Sequence, residues 1–491
     1  MNMPLQRRFG SGPRAVLVGL GVLGCCLLSN LVLADASSAT VPAKGLNCVA
    51  LDGKINGRGS TYQTVLQQTL AEAYRDDFCG NTAKEPEDVA GNTMLAYNYA
   101  AAEAASATGS GAGIKAASCR TDAFSGSDTP YTEATLAEMD GVPGRTGGCA
   151  IAFTPPFQPN APASWPDKES GKEDTQANVM SFPIGGSSVA LPVNLTNAVC
   201  TAGTKVAPTS LSLTSKEVSR IFGGDAAKWN DSELVANNPL LANCEGAIVR
   251  IVRFDSSGTT NIFKSYLIRA QNERSGATCA VGKKWEAYFT TNTEWPGKQS
   301  PGSEGTCTTI TTGGSSGNPA LLKKLEETPN GVGYADLPQA AHAGFTLANV
   351  QNAVATSYQS PSVGEAANCT YSVLTLPGGS PEAYVGLDPE DNWANNNEEV
   401  NHNPNHGNAT DLGSKYPICG LTWDLVYTGL SSTSGGANPI SRLTPDQRRT
   451  LYSYFTFVLS STAQDRFSSI DYAPLPTAWL GPLTEGFQTN F

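Results

Sequence analysis

Three histidines in 491 residues leave this chain poor in groups that exchange a proton near neutral pH. It also has no G-x-S-x-G elbow, and Ser257 has no base evident in the sequence, which disfavours a hydrolase. No cysteine stands in a C-x-x-C pair, an argument against zinc, and nothing in the sequence asks for a cofactor. Beyond the N-terminal segment no stretch is apolar enough to span a membrane, so stable membrane insertion is not expected. Only 15% of residues are charged, and 32 Lys and Arg are outnumbered by 44 Asp and Glu. Such a surface argues against nucleic acid and anionic membranes as partners. An anion site here must rely on local dipoles and one arginine, because the global field repels its ligand.

Residues 1–34 have the order of an export signal: Arg7, Arg8 and Arg14, an apolar run from Ala15 to Leu28, and Val32-Leu33-Ala34 before Asp35. Removing them takes away three arginines and no acids, moving the net charge from −12 to −15. Val22-Leu23-Gly24-Cys25 is similar to a lipoprotein cleavage site, but the apolar run continues past Cys25, so lipid attachment is the weaker reading. A periplasmic or secreted location is expected. The ten cysteines after Cys26 are even in number and suggest disulfides. The favoured pairs are sequence neighbours: Cys48–Cys79, Cys119–Cys149, Cys200–Cys244, Cys279–Cys307 and Cys369–Cys419. The chain length implies two or more lobes.

The most informative stretch is Ile248–Leu267. Ile248, Val249, Ile251, Val252 and Phe254 suit a short apolar strand. Asp255 to Thr260 is a turn of small hydroxyl residues around Gly258, and the i, i+4 pairs Ile262/Tyr266 and Phe263/Leu267 then give helical spacing. A helix start offers backbone N–H groups and the positive dipole end, which together suit an oxyanion. Arg253 and Asp255 are two apart on an extended segment and share a side, so Asp255 can orient the guanidinium and leave its other edge for a ligand. Arg250 faces the opposite side. An ordinary capped turn with a surface ion pair explains the same residues.

Similar turns precede other helical stretches. Gly57-Arg58-Gly59-Ser60-Thr61-Tyr62 leads into a stripe of Val65, Leu66, Leu70 and Tyr74, and Gly109-Ser110-Gly111-Ala112-Gly113-Ile114-Lys115 opens another helix. Ser127-Asp128-Thr129-Pro130 adds a carboxylate in a polar turn. With Arg253-x-Asp255-x-Ser257-Gly258-Thr259, these motifs stand in an order that resembles the periplasmic phosphate-binding proteins serving ABC importers. Further matches include Phe182-Pro183-x-x-Gly186, Ile221-Phe222-Gly223-Gly224, Gly331-Val332-Gly333-Tyr334, Tyr416-Pro417-Ile418 and Pro474-Leu475-Pro476.

The resemblance implies an α/β, two-lobed periplasmic-binding-protein fold with two hinge crossings. Lobe I would be 46–190 plus 342–491 and lobe II 191–341. It implies inorganic phosphate as the ligand, held by Thr61, Tyr62, Ser110, Asp128, Arg253, Ser257, Gly258 and Thr259 and supported by Ser60, Ser127 and Asp255. It also implies an ABC permease as partner and no catalysis. Tyr62 stands where the family usually has Phe. Segments at Thr154–Asn178, Glu294–Thr312 and Gly386–Ser414 exceed the family pattern and leave open a different extracellular role. A phosphoester hydrolase and an adhesive protein that kept the fold are the rival readings. Within Gly386–Ser414, His402 and His406 have helical metal-pair spacing, but Pro404 breaks the helix and a solvated loop is expected. Thr312–Asn318, rich in Gly, Ser and Thr, is expected to be a flexible loop rather than a fourth anion-binding turn.

Overall fold

A computed structural model describes residues 55–78, 95–98, 109–118, 122–129, 179–195, 200, 208–273, 285, 293–295, 311–352, 358–361, 416–427 and 445–490. Along them the chain forms β1 (Ile55–Gly59), α1 (Thr64–Phe78), β2 (Leu95–Asn98), α2 (Ser110–Ser118), β3 (Phe124–Ser127), β4 (Val179–Ala190), β5 (Pro192–Asn194), β6 (Leu211–Leu213), α3 (Ser215–Gly223) and α4 (Ser232–Asn237). There follow β7 (Val249–Arg253), α5 (Gly258–Glu273), β8 (Thr311–Ser315), α6 (Asn318–Glu326), β9 (Gly331–Val332), β10 (Ala335–Asp336), α7 (Leu337–His342), β11 (Thr346–Gln351) and β12 (Tyr358–Gln359). β13 (Cys419–Tyr427), α8 (Pro445–Val458), α9 (Ser461–Gln464) and α10 (Thr477–Asn490) complete the described chain.

The strands form two sheets. The first has the order β10-β4-β13-β3-β1-β2; the second has β12-β11-β5-β9-β7-β8, with β6 beside β11. β1 lies parallel to β2 and β3, and β7 parallel to β8 and β9. These strands carry their following helices back across the sheet, which is what parallel pairing demands. β7 is almost entirely buried on both faces, one arginine on each included, as expected of a strand covered on both sides. α3 begins where the sequence marks it: Thr214 caps Glu217 N–H at 3.1 Å, Glu217 reaches back to Thr214 N–H at 2.6 Å, and Gly224 closes the helix at φ 90°.

Each sheet has its own aromatic core. Tyr74, Phe124, Phe182, Tyr454, Phe455, Phe457 and Phe487 meet over the first, with Phe182 and Phe455 edge to face at 5.2 Å. Phe222, Phe263, Trp295 and Tyr334 meet over the second, with Phe222 and Phe263 edge to face at 4.6 Å. Such pairs contribute about 0.5–1.5 kcal/mol beyond area burial.

β4 ends at Ala190 and β5 begins at Pro192, so one nearly continuous extended segment passes from the first sheet to the second at Leu191. By strand membership the chain changes sheet again between β9 and β10, between α7 and β11, and between β12 and β13. β10 is a two-residue strand that pairs with β4 beside Leu191, whereas β11 buries Ala348 and Val350 and pairs with β5 and β6.

Thr312–Asn318 is also not the flexible loop expected. Most of it is β8, parallel to β7 through Gly313, Gly314 and Ser315, and Asn318 then opens α6. Backbone pairing with a buried neighbour outweighs the weak strand preference of Gly and Ser. Cys200 and Cys244 form a disulfide, as their neighbouring positions suggested. Cys419 is disulfide-bonded too, but its expected partner Cys369, the other expected cysteine pairs, the export segment, the Thr154–Asn178 and Gly386–Ser414 segments and the histidine pair lie outside the described residues.

Candidate functional site

Three loops from the first sheet converge on one from the second. At the end of β1, Ser60 N–H donates to Gly126 O at 3.0 Å, and the Ser60 hydroxyl accepts Tyr62 N–H at 3.0 Å and donates to Asp128 Oδ2. Thr61 therefore starts a short 3-10 turn at the cleft. The Tyr62 ring packs edge to face on Tyr472, and its hydroxyl donates to Ser187 O, so the ring belongs to the core. At the start of α2, Gly109 takes φ 94°, a conformation that favours glycine. Its N–H bonds Gly59 O at 3.1 Å, which brings Ser110 beside Asp128. Ser127 closes its own turn, accepting Thr129 N–H at 3.1 Å and donating to Thr129 O at 2.7 Å. It does not face the cleft partners.

On the opposite wall Ser257 accepts Thr260 N–H at 3.1 Å and thus caps α5. Asp255 grips Arg253 by two bonds, Nε to Oδ1 at 2.7 Å and Nη2 to Oδ2, as the i, i+2 spacing predicted. Arg253 Nη1 donates to Asn318 Oδ1 at 2.7 Å and lies 3.5 Å from Thr259 Oγ1. With the long Thr259 bond counted, four hydrogen bonds engage the five guanidinium hydrogens, and the hydrogen left over is on Nη2. Arg250 faces away, as expected: its guanidinium caps the end of α3, bonding Ile221 O and, at 2.9 Å, Ala226 O.

The walls touch. Gly258 N–H donates to Ser110 Oγ at 3.1 Å, Gly111 N–H to Ser256 O at 3.0 Å, and Asn261 Nδ2 to Thr129 Oγ1 at 3.1 Å. A Cβ at residue 258 would stand 2.3 Å from Ser110 Oγ and 2.6 Å from Asp128 Cβ, so this approach needs glycine. The arrangement thus brings together Ser60, Thr61, Ser110, Asp128, Arg253, Asp255, Gly258 and Thr259. The backbone N–H groups of several residues implied to hold the ligand have protein partners: Tyr62 on Ser60, Ser257 on Thr293 O at 2.8 Å, and Gly258 on Ser110. The Tyr62 and Gly258 partners are hydroxyls, which turn away at little cost.

Asp128 is fully buried. Burial pushes its carboxyl up to about 6 against the opposing pull of hydrogen bonds from Ser60, Thr422 and Ser110 and of the Arg253 charge. Behind it Asp424 is raised to about 8, by burial first and by Asp128 in addition, opposed by Gln67 and Gln63. Burial also holds Asp336 well above the usual carboxylate range, opposed by Gln339. Burial works against the Arg253 charge, but Asp255 more than restores it, so Arg253 remains a cation. The site therefore holds the Arg253–Asp255 ion pair and three carboxyls, Asp128, Asp336 and Asp424, that burial raises above their ordinary range.

Sequence reasoning missed four supporting residues. Thr422 on β13 donates to Asp128 Oδ1 at 2.8 Å. Asn318, Asp336 and Gln339 join Arg253 to Thr61. Asn318-Pro319 after a glycine is a helix-start signal that points to α6; nothing in the sequence marks Thr422.

The model of the PBP superfamily domain matches residues 50–376. The chain belongs to the PBP superfamily. Among curated proteins, it is 28% identical to the phosphate-binding protein PstS of Xylella fastidiosa strain 9a5c over 183 residues, 37% of this chain and 41% of that protein. It is 25% identical to phosphate-binding protein PstS 3 of Mycobacterium leprae over 281 residues, 57% of this chain and 58% of that one. The chain thus spans less than half the length of the Xylella relative. Among solved structures, a DING protein superposes with TM-score 0.51 at 18% identity, over 88% of this chain and 94% of that one. A periplasmic phosphate-binding protein with bound phosphate superposes with TM-score 0.50 at 16% identity, over 88% and 93%. These likenesses establish the mixed α/β, two-lobed superfamily fold that the motifs implied.

Proposed function

We propose that this chain is an exported solute-binding protein that captures inorganic phosphate between its lobes, hands it to an ABC permease and performs no chemistry on it. The observation that carries this reading is a fully buried carboxylate, Asp128, in the same cluster as the Arg253 cation and the start of α5. Arginine and a helix start recruit an oxyanion. An ionised Asp among them accepts hydrogen bonds only and repels any anion without a proton to give. Phosphate near neutral pH keeps at least one P–O–H and can donate it, whereas sulfate cannot. The named activity of the PstS relatives fits this chemistry. An anion held by Thr61, Ser110 and Asp128 on one side and by Arg253, Gly258 and Thr259 on the other reaches its full set of bonds only with the lobes closed, so binding shifts the molecule toward closure. Among the described residues no helix is long and apolar enough to cross a membrane, which is compatible with release after export.

The test is calorimetric titration of purified, phosphate-stripped protein with phosphate and with sulfate. Phosphate is expected to bind and sulfate not. Equal binding of the two would remove the role given to Asp128 and with it the assignment to phosphate.

A further inference from the structure

One circuit of hydrogen bonds joins the two walls without passing through the residues proposed to face the anion, except at its ends. Arg253 Nη1 donates to Asn318 Oδ1 at 2.7 Å, and Asn318 Nδ2 donates to Asp336 Oδ1 at 2.5 Å. Gln339 Nε2 donates to Asp336 Oδ2 at 3.1 Å and to Thr61 O at 2.6 Å. Asn318 closes the circuit with its own N–H on Thr61 Oγ1 at 3.2 Å. Asn318 and Asp336 are completely buried. Arg253 and Asn318 flank the second sheet, Thr61 follows a strand of the first, and Asp336 lies on β10 at the hinge.

We propose that Asn318 is a positioning residue for ligand capture, aligning Arg253 through its side chain and Thr61 through its N–H so that both donors are set when the lobes close. This rests on the phosphate reading above. The chemistry is specific in two ways. A threonine hydroxyl that accepts from a backbone N–H has its single hydrogen to give, so the contact from Asn318 makes Thr61 a donor toward the cleft. The Asn318 amide also restrains the third edge of the guanidinium as Asp255 restrains the first, but adds no charge. That matters in a site already holding Asp128, Asp255 and Asp336, where a further carboxylate would oppose an anion. Asn318 is not expected to touch the ligand. It links closure to the orientation of two groups that do.

Two variants test this in the full chain, with inorganic phosphate followed by stopped-flow kinetics and calorimetry and with a thermal melt of each variant. Asn318→Ala is expected to raise the phosphate dissociation rate about tenfold or more, the size expected when one charge-assisted bond is lost, with the association rate within about threefold of wild type. Asn318→Asp keeps shape and volume but adds a charge. It is expected to weaken binding more than Asn318→Ala at pH 8 and to regain affinity as the pH falls and the new acid takes up a proton. A residue that merely holds α6 in place would lower the melting temperature and leave dissociation from the folded fraction unchanged. Wild-type dissociation rates in both folded variants overturn the proposal. If Asn318→Ala fails to fold, the near-isosteric Asn318→Asp decides alone: affinity equal to wild type at pH 8 is the overturning result. Wild-type protein that ignores phosphate is a separate outcome, which removes the phosphate reading and this proposal together.

Discussion

The two walls of the cleft solve different problems. The first presents acceptors and hydroxyls: Asp128 takes bonds from Ser60 and Thr422, with Ser110 3.4 Å from its Oδ2, and all are buried at the strand-end edge of a sheet of mixed parallel and antiparallel strands. The second presents a cation and a helix start, held by the Arg253–Asp255 pair behind the parallel strand β7. Either wall alone is a poor anion site. The first carries an acid, and the second has its arginine largely paired. On the phosphate reading proposed above, together they favour a ligand that brings both negative charge and a proton. The comparison suggests that attraction resides in one lobe and discrimination in the other.

Arg253→Ala should break the attractive wall. Truncating one partner of a buried charge pair typically costs about 2–5 kcal/mol, so phosphate affinity by calorimetry should fall at least thirtyfold, a change of about 2 kcal/mol. Arg250→Ala, on the same strand but capping α3, should instead lower the melting temperature and leave affinity nearly untouched. Equal affinity in the two variants would mean that the wrong arginine has been assigned to the cleft.

Asp128→Asn should sharpen the contrast by removing discrimination while keeping attraction. An unpaired buried acceptor costs roughly 1–3 kcal/mol, more if charged, so the phosphate-to-sulfate ratio should narrow by about tenfold or more. The carboxyl of Asp128 is raised to about 6. It is therefore ionised and excluding above that pH, and protonated and able to donate below it. Wild-type sulfate binding should accordingly strengthen as pH falls from 7 to 5, while the Asn variant shows no such slope. A sulfate affinity independent of pH in wild type would count against Asp128 as the discriminating group.

The smallest effect is expected where the walls meet. Gly258→Ala puts a methyl 2.3 Å from Ser110 Oγ, and overpacking of this kind costs about 1–3 kcal/mol. The cost falls on the closed form only. Phosphate affinity should drop about tenfold, in line with that penalty, while the melting temperature of the ligand-free protein moves little. A large drop in melting temperature with affinity intact would show that residue 258 packs within one lobe rather than across the cleft.

Much of this geometry was legible in the sequence, for a local reason. The Arg253–Asp255 pair, the cap at Ser257 and the turn before Ser110 are each set by residues within a few positions, where strand alternation and helix starts are read directly. The opposite orientation of Arg250 followed from the same alternation. What the sequence did not reveal comes from distant parts of the chain. Thr422 reaches Asp128 across 294 positions, and Asn318 reaches Thr61 across 257. Neither has a local signature, because each acts on a partner brought near only by the fold. Thr312–Asn318 was misread for the opposite reason: its composition suits a linker, and only the neighbouring β7 makes it a strand. The place of β10 in the first sheet likewise depends on a two-residue pairing that no periodicity announces.

The Cys200–Cys244 disulfide ties the segment after β5 to the turn before β7, both within the part of the chain that builds the second sheet. Mechanically this is a brace welded to one jaw of a clamp. It stiffens the jaw that carries Arg253 and does not span the pivot at Leu191, so the bond neither drives nor restrains the jaws' travel. With this bond alone removed, as in Cys200→Ala with Cys244→Ala, the protein should lose resistance to heat before it loses its grip.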